Sequence, residues 1–224
     1  MKKPDGNPAP APAPPSGWQI VEDLLRRRLI WTARSLAEPA PRSSFGLEAL
    51  DKASGGLLRG GLTEVIVPGG GSATIAYAAL RASTSRGEMN ALIDPGDGFD
   101  PEAAAAAGVD LARLLWLRPP DRAATLRGTE IVLETGGFGL VILDLVGCRS
   151  DQLPSRSAWP RLARRAREGR TALLALASHA QARHCASLSL RVTRARFRWR
   201  GSGRLYWDGV ELEVELLRRA PKIS

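Results

Sequence analysis

Two stretches, "FGLVILDLVG" at 138–147 and "RTALLALAS" at 170–178, constrain the fold more than anything else in the chain. Neither alternates apolar with polar residues, so neither can leave one face in water. Strands of this kind belong to a parallel sheet covered on both sides. The segments around them supply the cover. A strand is expected at 62–67, followed by a helix over "TIAYAALRASTSRG" that Gly87 stops. "NALIDP" and "RLLWLRP" read as strands. Between them "DPEAAAAAGVDL" reads as a helix, with Asp100 as N-cap and Pro101 at the first helical position. "RAATLRGTEIVLETG" and the basic "SAWPRLARRAREG", ended by Gly169, read as two more helices. This alternation predicts an α/β fold with a mainly parallel central sheet flanked by helices. The end of the chain, "LSLRVTRARFRWRGSGRLYWDGVELEVELLRR", predicts two or three antiparallel strands with turns at "GSG" and "DG".

The first forty residues differ in composition. Residues 1–17 are rich in Pro and Ala, which predicts an irregular or polyproline-like tail. Residues 18–37, "WQIVEDLLRRRLIWTARSLA", hold no Pro or Gly and predict a helix. Trp18, Val21, Leu25, Leu29, Ala33 and Leu36 share one face of it, and Ile20, Leu24 and Trp31 form a second apolar strip. One strip suffices for docking on the chain's own domain; the other is available to a partner, although a two-sided packing helix has the same pattern. "EPAPRSS" at 38–44 reads as a linker. The expected organisation is a tail at 1–17, a helix and linker at 18–42, a core domain at 43–218 and a short tail at 219–224.

Charge narrows the partners. The chain has 224 residues and a formal net charge of +9, almost all of the excess from arginine. That favours an acidic partner, either DNA or an acidic protein face. Arg194, Arg196, Arg198 and Arg200 alternate with Ala195, Phe197 and Trp199, so the arginines share one face of a strand. Arg161, Arg164, Arg165 and Arg167 mark the basic helix. Both sets are candidate contacts to DNA or an acidic partner, and both are equally what a solvated outer face looks like. No aromatics interleave with them in the positions needed to stack bases. Cys148 and Cys185 have neither metal-ligand spacing nor the count of a disulfide framework. No signal peptide or membrane-spanning apolar run is seen, so a cytoplasmic protein without membrane contact is expected.

"VIVPGGGSATIAYAAL", 65–80, carries the chemistry. An apolar strand, a glycine cluster and a helix in that order outline a phosphate-binding loop, in which backbone N–H groups and a helix N-terminus hold phosphates. Gly69, Gly70 and Gly71 keep that outline, and Thr74 stands where a hydroxyl binds magnesium. Ser72 replaces the glycine of the tight turn, and Ala73 replaces the lysine that neutralises the β/γ charge. Losing a charge-assisted contact costs about 1.5–3 kcal/mol in binding. Asp144, ending "LVILD", stands where an acidic strand supports magnesium. Together these residues predict a degenerate nucleotide site with no catalytic residue, no resident metal and no cofactor, ATP being the ligand such a scaffold would otherwise take.

The order of motifs resembles the RecA recombinase core. "FGLEALDKASGGLLRGGLTEVIVPGGGSAT", "ALIDPGDGFDPEAAAAAGVDLARLLWLRP", "GLVILDLVG" and "LSLRVTRARF…VELEVELLR" carry the likeness over residues 43–218. It implies a RecA-like, P-loop-type fold. Recombinases carry a catalytic glutamate two residues after the "ID" aspartate; Gly96 stands there, with Asp97 beside it. The segments matching the DNA-binding loops are short. A chain shortened and degraded in this way resembles the ImuA family, with "RLLWLRPP", "FGLVILDLVG" and "WPRLARRARE" before "RTALLALAS" as its marks. That resemblance implies a non-enzymatic accessory protein of SOS-induced mutagenesis. It would bind RecA and the ImuB polymerase subunit, reach an error-prone polymerase through that complex, and be nucleoid-associated during the damage response. Ile20, Leu24 and Trp31 would be the partner strip, because an N-terminal helix packs on the neighbouring core in RecA-like filaments. An active RecA-like ATPase and a SulA-type division inhibitor are the alternatives.

Overall fold

A computed structural model describes residues 41–200 and 206–219. The chain divides between Pro39 and Ala40, and the unit beginning at Ala40 is the one described. The 18–37 segment, with Ile20, Leu24 and Trp31, therefore lies outside the described residues.

Seven strands form one sheet: β3 (Leu62–Ile66), β4 (Met89–Ile93), β5 (Leu114–Leu117), β6 (Phe138–Asp144), β7 (Ala172–Ala177), β8 (Leu188–Arg200) and β9 (Tyr206–Arg219). Their order across the sheet is β5-β4-β6-β7-β3-β8-β9. All neighbours are parallel except β8 and β9, which run antiparallel. The fully apolar strands occupy the middle, as their two-sided hydrophobicity requires: every residue of β7 is buried, and so is Gly139–Leu143 of β6. A small separate pairing joins β1 (Arg42–Ser43) to β2 (Leu57–Leu58), which periodicity did not predict because each strand has only two residues.

Helices cover both faces. On one side α1 (Glu48–Ser54), α2 (Ser72–Thr84) and α3 (Pro101–Ala106) place Leu50, Ile75, Leu80 and Ala104 against Val65, Leu92, Ile142 and Leu174. On the other, α4 (Arg122–Thr135) and α5 (Trp159–Gly169) place Val132, Leu133, Trp159 and Leu162 against Ile93, Val141, Leu143 and Leu173. Alternate residues of each strand thus serve opposite layers. The helix starts follow the sequence: the Asp100 side chain accepts from Glu102 N–H at 2.9 Å and Ala103 N–H at 3.1 Å, and Asp121 caps α4 through Ala124 N–H at 2.8 Å.

Two local expectations change. Gly169 is the last helical residue of α5, and Arg170 at φ 51° makes the left-handed exit. Glycine is needed at 169 for space, since a Cβ there would lie 2.9 Å from the Leu133 carbonyl oxygen. At the C-terminus, Asp208 and Gly209 form no turn but lie within β9, where the pairing register shifts between Arg198 and Trp199. The "GSG" turn lies outside the described residues.

The β8–β9 pair is a long ribbon rooted on a short base. β8 pairs with β3 through Leu188–Arg191; beyond Arg191 its sole strand partner among the described residues is β9. A register shift between Val192 and Arg194 inserts Thr193 as an extra residue, and its hydroxyl donates to the Glu213 carbonyl at 3.1 Å. The bulge switches the face parity from even to odd numbers. Leu190, Val192 and then Ala195 therefore stay opposite Leu216, Val214 and Leu212, on one continuous face.

Candidate functional site

The glycine loop grows out of β3. Val67 N–H still donates to the Ala177 carbonyl at 2.8 Å, and Gly70 N–H turns back to the Val67 carbonyl at 3.4 Å. Gly70 and Gly71 take φ values of 83° and 93°, which only glycine adopts freely, and Gly71 caps α2. A Cβ at 69, 70 or 71 would meet nothing within 4 Å, so the crest is open and these glycines serve conformation rather than close approach. The eight residues Val67–Thr74 match the length of G-x-x-x-x-G-K-[ST], but of its four defining positions only Thr74 agrees. Val67 at the first glycine position is a signal that the sequence reading passed over. Its side chain is 3% exposed and packs into the core.

Ser72 does more than replace a glycine. Its hydroxyl lies beside the Asp144 carboxylate and helps hold its pKa down, and Asp144 Oδ1 accepts the Val146 N–H at 3.0 Å. Burial outweighs both donors and pushes the Asp144 pKa up to about 6, with the nearby Asp94 carboxylate adding a smaller upward push. The acidic group expected to support magnesium thus lies beside a hydroxyl of the degenerate loop.

Asp94, at the end of β4, is 4% exposed. It accepts from Gly98 N–H at 3.0 Å, Phe99 N–H at 2.9 Å and Trp116 Nε1 at 3.3 Å, which folds residues 95–99 into a closed turn. Gly96 lies inside this turn, where a Cβ would already touch Cys148 Sγ at 3.4 Å. Asp97 takes φ 53° and pairs with Arg118, whose guanidinium lies 5.1 Å from the Trp116 ring centre. Burial first, then Asp144 and Asp94, push the Cys148 thiol up to about 11, so it carries little thiolate at neutral pH.

The arginine face of β8 has an acidic counterpart in β9. Arg191 pairs with Glu215 at 3.5 Å and Arg194 with Glu213 at 3.7 Å, and Arg196 stands opposite Glu211 in register. Arg198 and Arg200 stand opposite Gly209 and Tyr206, positions without a carboxylate. The basic helix is compensated too: Arg161 pairs with Glu130 at 3.0 Å, Arg165 with Glu134 at 2.7 Å, and Arg164 with Glu168 at 3.8 Å. Arg161, Arg164, Arg167, Arg194 and Arg196 are exposed, as a solvated face would be, but much of the charge of both sets is matched within the chain.

The residues around the loop do not match the chemistry of a magnesium–triphosphate. Val67–Thr74 contains no cationic side chain. No described helix is long and apolar enough to cross a membrane.

Comparison with known proteins agrees with the architecture. The model of a family described as the RecA N-terminal domain matches residues 35–183. Protein RecA of Chlorobaculum tepidum is 35% identical over 106 residues, which cover 46% of this chain and 31% of that protein. Protein RecA of Lactococcus lactis subsp. cremoris is 35% identical over 130 residues, covering 57% of this chain and 34% of that protein. Protein RecA of Symbiobacterium thermophilum is 35% identical over 104 residues, covering 45% and 30%. The matched part spans about a third of the length of these relatives.

Proposed function

We propose, from the premise that this chain belongs to the RecA N-terminal domain family, that it is a non-enzymatic accessory protein of the ImuA type in damage-induced mutagenesis. It holds RecA and an ImuB-type Y-family polymerase subunit together, and through them an error-prone polymerase. The observation that carries the reading is the chemistry of the loop. Ala73 leaves no ammonium for the β/γ-phosphates, Gly96 stands where a recombinase has its glutamate, and Ser72 stands where the loop has a glycine. A RecA-like domain that lacks the means to turn over triphosphate acts through contacts with other proteins.

Two measurements on the full chain test this. Phosphate release from Mg-ATP, with and without single-stranded DNA, is expected to match a no-protein control. Pull-down with the chain as bait is expected to retain RecA and the ImuB-type subunit. ATP turnover abolished by Asp144→Ala would refute the reading. Capture of the tubulin-like division ring protein in place of RecA would transfer it to the SulA-type alternative.

A further inference from the structure

We infer that the side of the sheet carrying α5 holds a docking site for a compact acidic motif of a partner protein, centred on Arg183 and His184 with Arg167 beside them. Positive charge is divided unevenly across the sheet. On one side α1, α2 and α3 carry Lys52 and Arg81 against Glu48, Asp51 and Glu102. On the other, α5 carries Arg161, Arg164, Arg165 and Arg167 against Glu168 alone. Next to α5 runs the connection from β7 to β8, residues 178–187, which contains no Asp or Glu. Its Ala182, Cys185 and Ala186 pack into the same cluster as α4 and α5, on the face of the sheet away from α2. Arg218 of β9 reaches it from the other flank, so the connection lies between α5 and the ribbon. The site is independent of the adaptor reading, whose pull-down can succeed or fail without it.

The connection is held rigidly from two directions. Inside, the buried Glu64 carboxylate accepts the Gln181 and Ala182 N–H groups at 2.6 and 2.8 Å. Outside, Arg218 Nη1 donates to the carbonyls of Arg183, His184 and Ala186 at 3.2, 2.6 and 2.8 Å. Between these clamps Arg183 takes φ 49°, which strains any residue with a Cβ. Glycine would make the same turn with less strain, so the arginine is explained by what its exposed guanidinium meets outside the chain. Neither Arg167 nor Arg183 has an ion pair among the described residues. Arg161 and Arg165 are turned to Glu130 and Glu134 of α4, and helical spacing puts Arg167 on the opposite flank. There its Cα adjoins Gly60 at the foot of β3, where Ser187 N–H also donates to the Leu62 carbonyl at 2.8 Å. Carboxylates bound this strip: Glu130 and Glu134 beyond α5, Glu213 and Glu215 on the ribbon. A nucleic-acid backbone crossing this side would run over them, whereas a short run of Asp or Glu stays within the acid-free strip. Arginine clusters are recurrent readers of such motifs.

The test is an amide NMR titration of the full isotope-labelled chain at low salt. One probe is a peptide with four consecutive aspartates, and the other is a dT pentamer, which has four phosphates. The peptide is expected to give saturable shifts in residues 178–187 and the second half of α5, and the oligonucleotide a weaker response. Arg183→Gly is expected to raise the peptide Kd at least fivefold without lowering the melting temperature, and Arg167→Gln at least threefold. Arg81→Gln removes the same charge from α2 and is expected to stay within twofold of native. If the glycine variant does not fold, Arg183→Gln replaces it, with the same loss expected. Equal effects of the Arg183 and Arg81 variants, or a titration that leaves residues 178–187 unmoved, overturn the site. A lower melting temperature for a folded Arg183→Gly overturns the strain argument. Tighter binding of the oligonucleotide than of the peptide overturns the acidic motif and assigns this side to nucleic acid.

Discussion

Replacing Asp144 by asparagine should stabilise this protein, and only above mildly acidic pH. The carboxyl sits at the end of β6 with its pKa raised from an ordinary 3.8 to about 6 by burial. Because the folded value is the higher one, the native state holds its proton more tightly than the unfolded chain. Stability therefore falls as pH rises through the window between 3.8 and about 6, and the full cost of the buried charge is present above it. That gap corresponds to about 3 kcal/mol, an upper bound because the residue is not fully enclosed. Asparagine keeps the oxygen that accepts the Val146 N–H and can still meet Ser72, while removing the charge. In metal-free buffer at pH 8, Asp144→Asn should gain about 1–3 kcal/mol. For a chain of this size that is about 2–4 °C per kcal/mol in the melting temperature. The gain should shrink to nothing near pH 4. The assay is paired thermal melts of native and variant protein from pH 4 to 8, repeated with 10 mM magnesium as a control. A gain that does not vary with pH, or a loss at pH 8, would refute the electrostatic argument. A rise in the native melting temperature with magnesium would show that the carboxylate is kept for a cation.

Other expectations follow from particular contacts. Glu64 is fully buried on β3 and accepts from Gln181 N–H at 2.6 Å, Ala182 N–H at 2.8 Å and the Ser189 hydroxyl at 3.3 Å. Glu64→Gln should cost about 1.5–3 kcal/mol in denaturant unfolding, and a neutral result would mean these bonds are easily replaced. Trp159 is buried with its Nε1 unpartnered, so Trp159→Phe should be nearly neutral whereas Trp159→Ala loses about 3–5 kcal/mol. Glu211→Gln/Glu213→Gln removes the acids facing Arg196 and Arg194, and should raise low-salt DNA retention on a filter several-fold. No change would place any DNA contact elsewhere. Leu24→Ser/Trp31→Ser should reduce RecA pull-down at least tenfold without moving the melting temperature of the core, and full retention would remove the N-terminal helix as the docking element.

The fold was legible because burial on two faces leaves a plain mark. The apolar runs of β6 and β7 could be nothing but central strands, and the Asp100–Pro101 start of α3 follows from capping geometry alone. The loop was legible as a degraded motif at Ser72 and Ala73, but not in its consequences. That the Ser72 hydroxyl comes beside Asp144 depends on how two segments about seventy residues apart meet, which no local pattern encodes. The same holds for the arginines of β8. Their alternation was visible, yet the glutamates that face them are set by a pairing register containing three shifts. Thr193 looks like any strand residue in the sequence; only pairing reveals it as the extra one. Gly169 illustrates the reverse error. Read as a helix stop, it is a helical residue made small by the backbone of α4 beside it.

Among the described residues, β9 forms one border of the sheet and is its longest strand, with β8 as its only strand neighbour. Such a border is ordinarily an open invitation to further strands. Glu211, Glu213 and Glu215 fall on one side of it at every second residue. Two copies laid along each other there would bring carboxylates into rows of like sign, which disfavours the match. The same row of acids that balances the arginines of β8 thereby makes this border a poor template for a second copy of itself.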